Sequence, residues 1–101
     1  MVDNAKAAEK RLDVAIARGR ERLLAAEPEL ARNADARATA KAGAAEEKRI
    51  ALYEAEIEQE IADYAKSQGV DEVDMLVRLG VDSDEEAREL ISLRRHREGG
   101  A

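Results

Sequence analysis

His96 is the only histidine in the chain, and Ser92 stands one helical turn before it. A serine beside an imidazole could start nucleophilic chemistry, but no third residue orients the base, and Arg95 and Arg97 flank it. The chain has no cysteine and no glycine-rich phosphate loop. Carboxylates are more plentiful. Glu54 and Glu58 lie four residues apart, as do Glu56 and Glu60, so each pair shares a helix face. A di-iron bundle site would also need a Glu-x-x-His contribution, which the chain lacks. Asp82-Ser83-Asp84-Glu85-Glu86 opens like a calcium loop, but Ala87 replaces the required Gly and Leu93 the closing Glu. These residues predict no enzyme, no metal site and no cofactor.

Phosphate recognition is the other chemistry open to the side chains. Arg94, Arg95 and Arg97 cluster near the C-terminus, and Arg11, Arg18 and Arg22 share one face of the first helix. Cations at a helix end also complement its negative pole, and Asp13 and Glu21 interrupt the first-helix patch. A helix-turn-helix around Gly80 would present Asp82, Asp84, Glu85 and Glu86 to DNA, where repulsion replaces counterion release. A nucleic-acid-associated regulator using these arginines is the alternative function, and nucleic acid is not the expected partner.

The element that could position an interaction surface is the stretch Ile50 to Tyr64. Ile50, Ile57 and Tyr64 recur every seven residues, with Tyr53 and Ile61 between them, which makes one apolar stripe on a helix. Glu54, Glu56, Glu58, Glu60 and Asp63 leave most of the remainder acidic.

The 101 residues make one domain at most. Ala supplies 21 of the hydrophobic residues and Leu, Ile and Val together 20, without Phe or Trp, so a spherical core is hard to build. Ala, Glu, Lys, Leu and Arg account for 62 positions, the composition of long helices and coiled coils. Residues 1–49 carry 11 basic and 9 acidic side chains, net +2; residues 50–101 carry 6 and 14, net −8. The chain divides on that basis into an Ala-rich helical arm (1–49), an acidic helical interaction region (50–98) and a disordered tail (99–101). No apolar run is long enough for a membrane span or a signal peptide, so a cytoplasmic protein without membrane partners is expected.

Residues 3–26 read as a first helix with Leu12, Ile16, Leu23 and Leu24 as its stripe and Asp3 or Asn4 as its cap. Gly19 weakens it by about 1 kcal/mol relative to Ala. Pro28 disfavours helical geometry at Glu27 and suits the first position of a new helix. A tight turn there would lay residues 31–49, whose apolar side chains are all Ala, antiparallel to the first helix, with Leu12 opposite Gly43 and Ile16 opposite Thr39; the alternative is one long helix kinked at Pro28. The second helix should stop at Gln68-Gly69 with Val70 folding back on Ala65. Asp71 caps a third, Glu72 to Leu79, which Gly80 ends, with Val70 and Met75 as a hydrophobic staple and Val81 returning onto Leu76. Ser83 and Glu86 form a capping box for the last helix.

The expected fold is therefore all-α: a long helical hairpin turning near Pro28, then two short C-terminal helices, with coiled-coil-like contacts. The hairpin would leave the central stripe uncovered beyond Leu52. A non-enzymatic interaction or oligomerisation protein follows, with Ile50, Tyr53, Ile57, Ile61, Tyr64, Val73, Met75, Leu76 and Leu79 at the interface. A homo-oligomer, a dimer first, is the expected assembly, and a basic protein is a further candidate partner for the acidic half.

Overall fold

A computed structural model describes residues 4–99, with side chains from 7 to 96. The expected cap Asp3 and the tail beyond Gly99 lie outside the described residues. Five helices and no strand are found among them: α1 (Asn4–Ala26), α2 (Pro28–Ala42), α3 (Glu46–Ser67), α4 (Glu72–Gly80) and α5 (Asp84–Gly99). The all-α expectation holds. None of the described helices is long and apolar enough to cross a membrane.

Local chemistry sets most of the boundaries. Glu27 leaves helical geometry with φ −125° and ψ 73°, and Pro28 opens α2, where its missing N–H costs nothing. α3 ends in two nested bonds: the Val70 N–H donates to the Ala65 carbonyl at 3.1 Å, and the Gly69 N–H to Lys66 at 3.0 Å. The Ser83 hydroxyl accepts the Glu86 N–H at 3.1 Å, the serine half of the expected capping box, and so caps the start of α5.

The hairpin is not where Pro28 placed it. The chain reverses at Gly43–Ala45, and the antiparallel partners are α2 and α3. Asn33 reaches Glu60 while Lys41, two turns further along α2, reaches Glu56, so the two helices run in opposite directions. Gly43 has φ 63°, a conformation that side-chain-bearing residues rarely adopt, and this breaks what had read as one helix from 28 to 68. The Gly43 N–H still finds the Thr39 carbonyl at 3.1 Å and the Ala45 N–H that of Ala42 at 3.2 Å.

The chain forms two compact units. Residues Leu24–Glu72 make one; the described residues up to Leu23 and from Val73 make the other. The change from basic to acidic sequence at residue 49 falls inside the first of these. In that unit the buried stripe of α2 is Ala34, Ala38 and Ala42, and that of α3 contains Ile57, Ile61 and Ala65. Small residues on α2 against large ones on α3 let the pair approach closely.

In the other unit Leu12 and Ala15 of α1, Val77 of α4, and Leu90 and Ile91 of α5 form the core, with Ile16, Val73 and Val81 packed around it. Leu12 and Ile16 thus belong to this cluster, and their expected partners Gly43 and Thr39 lie at the α2–α3 turn. Arg22 of α1 donates through Nη1 to the Leu79 carbonyl at 2.8 Å, satisfying the C-terminal end of α4.

Candidate protein interface

The seam expected to be open is largely closed. Ile57 and Ile61 are 2 % and 0 % exposed, and Leu76 is buried as well, so none of the three is available to a partner. The displaced turn explains this, because α2 runs back along α3 where the Pro28 hairpin would have left Ile57 and Ile61 bare. Tyr53, Tyr64, Val73 and Met75 are half-buried, and Leu79 and Ile50 are exposed. Of the nine interface candidates, Ile50 projects furthest, at 56 % exposure.

Ile50 and Tyr53 line a groove of about 450 Å³ within the α2–α3 unit. Ala31, Arg32 and Asp35 of α2 face Arg49 and Glu54 of α3 across it. Arg49 is fixed from both sides: its Nη1 donates to Asp35 at 2.7 Å and its Nη2 to Glu46 at 2.6 Å. The hydrogen bond from Arg49 lowers the Glu46 pKa from its ordinary value, and the same bond raises that of Arg49. Ile50 and Tyr53 therefore sit on an ordered surface.

A second ionic ladder locks the same two helices one face away. Glu56 and Glu60 are buried acids, each 8 % exposed. Lys41 Nζ donates to Glu56 Oε2 at 2.9 Å and Arg37 Nε to Oε1 at 2.7 Å, while Arg37 Nη2 donates to Glu60, which Asn33 also reaches. The hydrogen bond from Lys41, then that from Arg37, holds the Glu56 carboxyl below its usual range. In the sequence Glu56 and Glu60 are only part of the acidic remainder of the helix. Arg37 and Lys41, four apart on an Ala-lined helix, were the available sign of their partners.

Four of the six candidate phosphate-binding arginines, Arg11, Arg22, Arg94 and Arg95, are engaged by carboxylates. Asp74 is buried at 6 % exposure and accepts Arg94 Nη1 at 3.0 Å and Arg95 Nη2 at 2.7 Å. The Arg97 side chain lies outside the described residues. Arg11 donates to Glu89 at 3.3 Å and lies 3.8 Å from Glu86, and Arg22 pairs with Asp82 at 3.3 Å. Ser92 and His96 are both exposed on α5, and among the described residues no three His, Cys, Asp or Glu side chains gather to hold a metal ion. No family model, curated protein or solved structure matches the chain.

Proposed function

We propose that this chain is a non-enzymatic helical interaction protein that associates with a second copy of itself, the dimer being the smallest assembly. The supporting observation is Ile50, a large aliphatic side chain more than half exposed on a helix pair held rigid by two ionic ladders. Covering such a side chain yields about 1.5–3 kcal/mol, and its rigid setting keeps the entropic cost of docking low. Basic proteins are the other class of partner that the acidic C-terminal half suits.

Sedimentation at tens of micromolar tests the proposal. Self-association that Ile50→Asp abolishes, with helicity unchanged, is the expected result; a monomeric parent protein rejects it. The nucleic-acid reading loses support because Arg11, Arg22, Arg94 and Arg95 all bond carboxylates. It would regain support from a gel shift that weakens steeply with salt.

A further inference from the structure

α1 and residues 80–86 line a groove that holds three cations, Lys10, Arg11 and Arg18, against two acids, Asp82 and Glu86. Val14, 44 % exposed, lines this groove of about 390 Å³ together with Ala15, Gly80 and Val81. Lys10 and Arg18 flank Val14 on α1. The groove's two acids are already matched, since Asp82 accepts Arg22 and Glu86 lies beside Arg11. Among the described residues neither Lys10 nor Arg18 has a hydrogen-bonding or ion-pair partner.

Lys10, Val14 and Arg18 are spaced four residues apart, so the two cations stand about 12 Å apart along the helix with the aliphatic residue midway. One carboxylate cannot reach both. The matching occupant is a helix bearing acid, aliphatic residue and acid at the same spacing. α3 carries that pattern at Glu46, Ile50 and Glu54. Glu46 and Glu54 are both exposed; Glu46 bonds Arg49 through both carboxylate oxygens and Glu54 has a partner of its own, yet 69 % of the Glu46 side chain stays in solvent.

We infer that the Glu46–Ile50–Glu54 stripe of one copy seats in the Lys10–Val14–Arg18 groove of another. This rests on the self-association proposed above and names the surface that receives Ile50. The contact is between two different patches, so reciprocal seating closes a dimer and one-way seating builds a ring or a chain.

A charge exchange tests it. Lys10→Glu with Arg18→Glu should weaken self-association roughly tenfold or more, and so should Glu46→Lys with Glu54→Lys. All four positions are exposed, so circular dichroism should show both variants folded. Mixing the two variants should restore association, because the groove and the stripe of each are then complementary to the stripe and the groove of the other. Added salt should weaken the parent assembly. If Ile50→Asp dissociates the protein but neither charge variant does, or if the mixture fails to reassociate, the groove is not the receptor while self-association through Ile50 stands. A monomeric parent overturns both.

Discussion

Gly19 of α1 and Gly80 of α4 meet backbone to backbone. A methyl group at Gly80 would lie 2.8 Å from the Gly19 nitrogen and 2.7 Å from the Ala15 carbonyl carbon. One at Gly19 would lie 2.6 Å from the Leu76 carbonyl carbon. Both contacts are with main chain, which cannot swing aside as a flexible side chain would.

Gly19→Ala therefore tests two opposing effects. Helix propensity favours Ala by about 1 kcal/mol in a helix interior. Forcing a methyl into a closed backbone contact costs about 1–3 kcal/mol, and more where only main chain can yield. Crowding should win, and Gly19→Ala and Gly80→Ala should each destabilise by about 2 kcal/mol in urea denaturation. A stabilised Gly19→Ala protein would mean that α1 and α4 do not cross here.

Both glycines could be found in the sequence, Gly19 as a weak point inside a helix and Gly80 as a helix end. Their role depends on which two helices cross, and no single helix records that. Starts and stops depended on adjacent residues and were readable: Pro28, Gly69 and Ser83 all mark the boundaries expected of them. Helix pairing was not. Pro28, the stronger breaker, reads as the place where the chain turns or kinks, and Gly43 reads only as a small residue opposite Leu12. An Ala stripe at 34, 38 and 42 fits closely against any helix with large residues, so it does not specify its partner. Arg37, Lys41 and Asn33 do specify it, because their acids lie on α3. With α2 paired on α3, Ile50 is exposed and Tyr53 half-buried, whereas Ile57 and Ile61 are covered.

Asp74 supplies the next expected outcome. It is a buried acid, and Arg94 beside it keeps only 20 % of its side chain exposed. Asp74→Ala leaves that guanidinium poorly solvated and without this carboxylate, at a cost of about 2–3 kcal/mol. Arg95, whose side chain is 68 % exposed, can return to water when its partner is lost. Arg95→Ala should cost less than about 1 kcal/mol. Thermal melts of the two variants should differ in that order.

Stability should also fall in acid through Glu56. Lys41 and Arg37 lower its folded-state pKa below the ordinary 4.5 of the unfolded chain. A lowered carboxyl pKa contributes stability that is fully present above the unfolded value and is lost as pH drops through the folded one. Glu46, lowered by Arg49, acts in the same window and with the same sign. The urea midpoint should hold between pH 7 and 5 and decline below about 4.5. Glu56→Gln should be the less stable protein at pH 7, with the gap narrowing toward pH 3. A constant gap would show that the carboxylate charge contributes nothing beyond its hydrogen bonds.

Ile50 and Ile57 separate association from folding. They lie seven residues apart on one helix stripe, yet Ile57 is 2 % exposed and Ile50 is 56 % exposed. An aspartate at Ile57 must lose its hydration or open the α2–α3 contact, and either costs more than about 3 kcal/mol. An aspartate at Ile50 stays in water, so the isolated chain should change by less than about 0.5 kcal/mol. Dissociating an assembly also lowers apparent stability by mass action, so both variants should be melted at sub-micromolar concentration beside the parent protein. There Ile50→Asp should match the parent and Ile57→Asp should melt far lower or fail to fold. At tens of micromolar the parent should gain stability while Ile50→Asp stays where it was. Equal concentration dependence in both proteins would show that Ile50 lies outside the interface.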